Sequence, residues 1–181
     1  ANVYSNWFRN KIEGMWSNDQ TELHYINIGK SRLAGVETMC KIQINRHINM
    51  HGAYNYLYTS KDADGVRLSS SSPHSGNIRA EYNTRIPRYA TVVNLSGNIM
   101  GKKKFDVLDE LEIDGKKVEA YYQAKVNPYC LWDLTVSQYI MQNLRITAGI
   151  TNLFDYTSDR VTFNTSTSPG RNYFIACNYT L

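Results

Sequence analysis

The sequence predicts an all-β protein of about eight antiparallel strands that run up and down in one sheet. The first observation is that apolar and polar residues alternate with a period of two over most of the chain, which is typical of strands with two different faces. The second is that short turns and long polar connections alternate along the sequence. The third is that the apolar positions continue to Leu181, whereas soluble chains tend to fray into polar residues at their ends.

The first four predicted strands cover residues 2–12, 23–44, 47–58 and 77–86. The first strand is rich in Tyr, Trp, Phe and Val and alternates weakly, and the second alternates clearly only in its latter half. The third carries a tyrosine at every second position from Tyr54 to Tyr58, all on one face. The fourth alternates most cleanly of all. Polar residues 13–21 and the Ser-, Asp- and Gly-rich segment 59–75 predict long connections, whereas Asn45-Arg46 predicts a tight turn.

The second half predicts four more strands, at residues 89–100, up to Ile140, at 144–151 and at 172–181. The strand that ends at Ile140 alternates clearly only from Trp132 onward. Pro87-Arg88 and Gln142-Asn143 predict tight turns. Residues 101–118 predict a long loop that carries a small hairpin around Asp114-Gly115, and residues 155–170 predict another long loop.

The order of the connections predicts a transmembrane barrel. In an up-and-down sheet every second connection lies at the same end, so one end carries only tight turns and the other only long loops, as in outer-membrane barrels. The predicted strands have about ten residues, close to the ~9–11 that a tilted spanning strand needs. We expect Val36, Ile42, Tyr54, Tyr82, Leu95, Leu134, Ile146 and Ile175 on one face and Asn55, Glu81, Asn83, Ser96, Asp133, Thr147 and Asn178 on the other.

The composition is compatible with this prediction. The chain has 181 residues, enough for one domain, with 42% hydrophobic residues and a mean hydropathy of −0.47. No stretch approaches the roughly 18 apolar residues of a spanning helix, but alternating transmembrane strands do not raise hydropathy. The 14 tyrosines fit either a soluble sheet or the aromatic girdles of a membrane barrel. The charged residues must face an aqueous lumen or one another, because a charge facing mid-bilayer lipid costs roughly 2–4 kcal/mol.

No nucleic-acid partner is expected, because the net charge of +4 is spread along the chain. The one basic run, Lys102 to Lys104, is followed by acidic residues and is interpreted as a solvated loop. Cys40, Cys130 and Cys177 form neither a disulfide framework nor a zinc site, since their number is odd and their spacing is wrong.

No metal site, cofactor site or catalytic residue is predicted. His47 and His51 would lie roughly 13 Å apart on a strand, too far to share an ion. His51 is expected on the lumen face, and His24 and His74 near loops. Each is interpreted as a lone polar lumen residue, with contact to haem or another ligand as the alternative. Asp62, Asp64 and Gly65 lack the later Glu of a calcium loop.

Asp155 is interpreted as a turn former, and Gly170-Arg171 as a turn glycine followed by an interface arginine. Nucleophile–base pairs, phosphate loops and paired carboxylates are missing from the sequence, so we do not expect an enzyme.

Four segments together resemble the C-terminal third of TonB-dependent outer-membrane receptors, in order and spacing, over nearly the whole chain. They are residues 25–37 (YINIGKSRLAGVE), 131–134 (LWDL), 150–155 (ITNLFD) and 169–181 (PGRNYFIACNYTL). The resemblance is greatest to the cobalamin, haem and colicin-receptor branch. One departure from the family is Leu181, which stands where the family usually ends in Phe.

The resemblance implies about eight strands of a 22-stranded barrel in the bacterial outer membrane, occluded by an N-terminal plug. The TonB complex acts on that plug to release a scarce nutrient such as an iron chelate, haem or cobalamin, and such receptors also serve colicins and phages. Residues 1–181 are expected to be the C-terminal part of the barrel, a piece of a longer protein without the plug. The substrate and the residues that bind it are not predicted.

Two other readings of the residues stay open at this point. One is a soluble, lipocalin-like barrel that binds a small ligand, and the other is a complete small eight-stranded membrane barrel that acts as an anchor or adhesin. Detergent dependence separates the soluble reading from the membrane readings. The isolated chain is expected to self-associate, because its outer strands would expose unpaired backbone groups and its apolar face would meet water.

Overall fold

The computed structural model describes residues 1–16, 22–60, 72–113, 116–141, 143–158 and 170–180. Within these residues no helix is long and apolar enough to cross a membrane. The strands are β1 (Asn2–Trp16), β2 (Leu23–Gln43), β3 (Ile48–Thr59), β4 (His74–Asn83), β5 (Thr91–Met100), β6 (Lys103–Ile113), β7 (Lys116–Val126), β8 (Tyr129–Ile140), β9 (Leu144–Thr151) and β10 (Asn172–Tyr179).

Eight strands form one antiparallel sheet in the order β1-β2-β3-β4-β5-β8-β9-β10, and β6 pairs with β7 in a separate hairpin. Neighbours in the large sheet are therefore neighbours in the chain, apart from the hairpin between β5 and β8. Among the described residues no pairing joins β1 to β10, so the sheet is open and has two edges. The predicted all-β, antiparallel, up-and-down fold with eight main strands is confirmed.

Three elements differ from the prediction by more than two residues. β1 continues to Trp16, through part of the segment predicted as a loop, because residues 13–16 pair with the start of β2. β4 covers His74–Asn83 rather than residues 77–86, since its first residue pairs with Tyr56 of β3. The hairpin predicted around Asp114-Gly115 exists but is larger, and extends from Lys103 to Val126.

The pairing register confirms the two predicted faces, because residues directly opposite each other on neighbouring strands point to the same side. Ala80 pairs with Met50 and Leu95, and Leu95 pairs with Leu134. One residue along, Glu81 pairs with Asn49 and Asn94. Continued across the sheet, these rows keep the predicted apolar set together on the apolar face and the predicted polar set together on the polar face.

The sheet is a single layer. Val126 is the one hydrophobic residue that is buried in the part of the chain described. Many large residues of the apolar face remain exposed, such as Ile175 at 77% and Ile42 at 52%. A row of exposed apolar side chains this extensive is the mark of a surface that another apolar medium covers.

The two ends of the sheet differ, but less strictly than predicted, because the connection 84–90 at the turn end has seven residues and the connection 17–22 at the loop end has six. At the turn end the connections are residues 44–47, 84–90 and 141–143, and at the loop end they are 17–22, 60–73, 101–128 and 152–171. Side chains of asparagine shape two of the tight turns: Asn45 Oδ1 accepts hydrogen bonds from the amides of His47 and Ile48 (2.8 and 2.9 Å), and Asn83 Oδ1 accepts one from the Arg85 amide (2.8 Å). Such local bonds stop a strand by offering its backbone other partners.

The hairpin of β1 and β2 extends beyond the rest of the sheet at the loop end. β2 has 21 residues, of which residues 33–43 pair with β3 and residues 23–37 pair with β1. Residues 23–32 therefore pair with β1 alone.

The polar face as candidate functional site

Four ionisable side chains and one serine on the polar face are aligned in one row across five strands. Lys41 of β2, His51 of β3, Arg79 of β4, Ser96 of β5 and Asp133 of β8 lie directly opposite one another. Strands are about 4.8 Å apart, so the three basic residues are immediate neighbours. The row is basic at the β2 side and acidic at the β8 side.

Arg79 is held by neighbours on its own face. Its Nη2 and Nε donate to Asn94 Oδ1 at 3.0 and 3.3 Å, and its Nη2 lies 3.7 Å from Glu81 Oε2. The two ion-pair side chains are 56% and 30% exposed, so the pair adds little stability and mainly orients the guanidinium. A second bond on this face joins Ser137 Oγ to Thr147 Oγ1 at 2.9 Å.

A buried asparagine ends β9 at the loop end. Asn152 is 4% exposed and has a φ of 51°, which non-glycine residues rarely adopt. Its amide N–H donates to Asp133 Oδ1 at 2.9 Å. Its side chain donates to the Tyr156 carbonyl (2.7 Å) and accepts from the Tyr156 amide (2.8 Å). Asp133 of the polar face therefore holds the start of the connection that follows β9.

Asp155 joins the two stems of that connection. Its amide donates to the Asn152 carbonyl at 2.8 Å, which closes a turn, and its Oδ1 accepts a hydrogen bond from the Arg171 amide at 2.7 Å. Gly170 has a φ of 89°, a conformation that a residue with a Cβ adopts only under strain. The interpretations of Asp155 as a turn former and Gly170 as a turn glycine are confirmed. The Tyr173 side chain, which hydrogen-bonds the guanidinium, raises the pKa of Arg171.

The four histidines do not come together. His47 Nδ1 lies 2.8 Å from the Asn83 carbonyl and Arg46 Nε donates to its Nε2 at 2.8 Å, so this ring is engaged at the turn end. His51 lies on the polar face, as predicted, and His24 Nε2 lies 3.3 Å from Glu22 Oε2. The expectation for His74 was wrong in one respect: it pairs with Tyr56 and so lies on the apolar face.

The three cysteines that the sequence singled out lie away from the polar face. The described residues contain no group of three or more His, Cys, Asp or Glu that could hold a metal ion. Cys40, Cys130 and Cys177 are free thiols on the apolar face. Asp62, Asp64 and Gly65 lie outside the described residues.

The basic run from Lys102 to Lys104 was interpreted as a solvated loop, and this was wrong in part. Lys103 and Lys104 begin β6 and pair with Val126 and Lys125. Burial lowers the pKa of Lys103.

Sequence reasoning missed three pairs in which an aromatic ring lies over a glycine on the neighbouring strand. They are Tyr4 over Gly35, Trp132 over Gly97 and Phe174 over Gly149. A Cβ at Gly97 would lie 2.7 Å from the Trp132 ring, which leaves no room for a side chain. These contacts fill the gaps that glycine leaves in a strand, and only the register reveals them.

A family model described as the β-barrel of TonB-dependent receptor-like proteins matches residues 1–153. Three solved structures are similar. A variant of the ferric enterobactin receptor of Pseudomonas aeruginosa has a TM-score of 0.69 at 18% identity. The siderophore receptor PirA of Acinetobacter baumannii has 0.70 at 17%, and the ferripyoverdine receptor of the Pseudomonas aeruginosa outer membrane has 0.70 at 16%.

Each superposition covers 98% of this chain but only 28%, 28% and 24% of the three receptor chains. At these identities the likeness supports the fold of the strands. The family match covers most of the chain, and the strand order, the register and the end-to-end asymmetry agree with it. The chain therefore belongs to the TonB-dependent receptor β-barrel family.

Proposed function

We propose that residues 1–181 form consecutive strands in the C-terminal part of the barrel of an outer-membrane receptor for active uptake. The single observation that carries this proposal is that the predicted apolar set lies on one face and the predicted polar set on the other, from β2 to β10. In this arrangement the apolar face meets lipid and the polar face lines the lumen. The turn end points to the periplasm and the loop end to the outside.

The substrate that we propose is a ferric chelate. This choice is supported by the similar structures, whose names describe a ferric enterobactin receptor, a siderophore receptor and a ferripyoverdine receptor. The cobalamin, haem and colicin-receptor branch stays a prediction, and its members become alternative outcomes of the uptake test. The described part of the chain contributes wall residues such as Arg79 and Glu81 rather than reactive groups, so the proposed role is transport and not catalysis.

The partners that follow from this role are outer-membrane lipid, the nutrient, and the TonB complex acting through a plug outside this chain. The open sheet supports a larger barrel, because β1 and β10 each need a further strand. A small eight-stranded barrel, or a lipocalin-like one, would instead close through pairing of β1 with β10, and the described residues contain no such pairing.

The uptake of labelled iron tests the proposal. The full receptor is expressed in a strain that lacks its own ferric-chelate receptors, and cells are given iron as a catecholate chelate, a hydroxamate chelate or haem, or are given labelled cobalamin. We expect energy-dependent uptake of at least one ferric chelate, abolished by a protonophore. Uptake of haem or cobalamin alone would move the substrate to the other branch, and uptake of none would contradict the proposal.

The isolated chain tests the proposed edges and apolar face. Without the rest of the barrel we expect it to self-associate. Pairing of the edge strands would satisfy their unpaired backbone groups, and contact between apolar faces would remove those faces from water. Sedimentation in detergent-free buffer measures this. A monodisperse monomer that carries no bound amphiphile would contradict it.

A further inference from the structure

We propose that a groove on the apolar face binds one acyl chain of a phosphorylated outer-leaflet lipid, with the lipid phosphate at His74. This inference rests on the proposed function, which places the apolar face in the membrane. The groove lies between β3 and β4 and has a volume of about 420 Å³. Its apolar lining includes Cys40, Gly52, Tyr54, Gly76, Ile78 and Ile99.

Two glycines create the groove. Gly52 pairs with Ile78 and Gly76 pairs with Tyr54, so the two glycines lie on neighbouring strands, one row apart, on the same face. A Cβ at Gly52 would approach only the Asn77 carbonyl oxygen among the described atoms, at 4.0 Å. At Gly97, in the same row but two strands away, the Trp132 ring fills the equivalent space. The surface over Gly52 is therefore open, whereas the surface over Gly97 is covered.

A polar group marks the loop end of the groove. The hydroxyl of Tyr54 lies 2.7 Å from Nδ1 of His74, and the Tyr56 ring centroid lies 5.1 Å from the His74 ring centroid. With Tyr54 donating, Nε2 of His74 carries the proton. The hydrogen bonds described for His74 leave Nε2 without a protein partner. It is a donor suited to a phosphate oxygen.

The level of His74 fits the headgroup region. Tyr54, Tyr56 and Tyr58 follow one another on the apolar face of β3 and are 47%, 37% and 49% exposed. Tyrosines at this density form the aromatic girdle of a barrel where lipid meets water. A lipid satisfies both parts of the site, since its chain contacts Ile78 and Ile99 and its phosphate accepts from His74. The loop end faces outward, so the lipid is one of the outer leaflet.

Retention of lipid A, the phosphorylated glycolipid of that leaflet, tests the groove. The full receptor is inserted in vesicles of phosphatidylethanolamine with lipid A and released in mild detergent. Native mass spectrometry then measures the mass of the intact receptor–lipid complex. We expect the wild type to keep a lipid A molecule that Gly52→Leu loses, because the new side chain fills open space. Ala148→Leu places the same leucine side chain at an exposed site elsewhere on the apolar face, and should keep the lipid.

His74→Phe and His74→Gln test the phosphate contact without changing the groove. The phenylalanine variant should lose the preference for lipid A over phosphatidylethanolamine, and the glutamine variant, which keeps a donor, should retain part of it. Equal retention of lipid A by wild type, Gly52→Leu and His74→Phe would overturn the proposal. A receptor that inserts and transports iron while retaining no lipid refutes this site alone, whereas failure to insert counts against the proposed function.

Discussion

The two faces of the sheet share one backbone but are built by different interactions. On β4, Arg79 and Glu81 turn to the polar face, where Arg79 donates to Asn94 and forms an ion pair with Glu81. Ile78 and Tyr82, one residue along, turn to the apolar face and stay exposed. Polar side chains thus satisfy one another within the wall, whereas apolar side chains depend on a medium outside it. The effect of a substitution should therefore depend on the face that the residue occupies more than on its place along the strand.

The largest expected effect is that of a charge on the apolar face. Leu134→Arg or Ile146→Arg in the full receptor should reduce insertion, at a cost of roughly 2–4 kcal/mol near mid-bilayer. Thr147→Arg changes the neighbour of Ile146 on the polar face and should be milder. Heat-modifiable mobility of outer-membrane fractions measures insertion. Equal insertion of the three variants would remove the distinction between the faces.

The next largest effect should come from substitution of Asn152, the buried residue that follows β9. Asn152→Gly removes two side-chain hydrogen bonds to Tyr156 and should destabilise the barrel by roughly 2 kcal/mol. Asn152→Ala should cost about 1 kcal/mol more, because alanine also strains the left-handed backbone. Urea unfolding of the receptor in vesicles measures both. An alanine variant as stable as the glycine variant would show that the backbone strain is relieved.

The covered glycines test whether both faces are equally well packed. Gly97→Ala, under Trp132 on the apolar face, and Gly149→Ala, under Phe174 on the polar face, should each cost about 1–3 kcal/mol through overpacking. Gly52→Ala is the matched control in open space and should stabilise the strand by roughly 0.5–1 kcal/mol. The same unfolding measurement applies, and a control as harmful as the other two would contradict the packing argument.

The smallest effect should come from the exposed ion pair. Arg79→Gln removes the contact with Glu81 but can still reach Asn94, so the loss of stability should stay below about 1 kcal/mol. The difference should shrink further in high salt, because exposed charges are screened. A large, salt-independent loss would mean that Arg79 is buried against another part of the receptor.

The faces of the sheet could be predicted from sequence because period-two patterning sets them, and the ends because turn residues and polar segments mark the connections. Every residue of the two predicted sets, from Val36 to Ile175, followed from alternation alone. The boundaries of β4 could not, since pairing of His74 with Tyr56 determines where that strand begins. The same pairing places His74 on the apolar face, beside Tyr54, where a polar residue is not expected.

The motif ITNLFD drew attention in the sequence, but its geometry could not be foreseen. The bonds of Asn152 to Asp133 and of Asp155 to the Arg171 amide join positions far apart in the chain. The aromatic rings over glycine were invisible for the same reason, because the two members lie on different strands. Alternation specifies which side a residue faces, while contacts across strands depend on register.

The extension of the β1–β2 hairpin bears on which part of the receptor is reached first from outside the cell. Residues 23–32 pair with β1 alone, and at about 3.3 Å per residue they extend some 30 Å beyond the end of β3. With the loop end outward, the tip of the hairpin would stand clear of the headgroups, held by backbone pairing rather than as a slack loop. Such a projecting, regular segment would be an accessible epitope for antibodies and a first point of attachment for large particles.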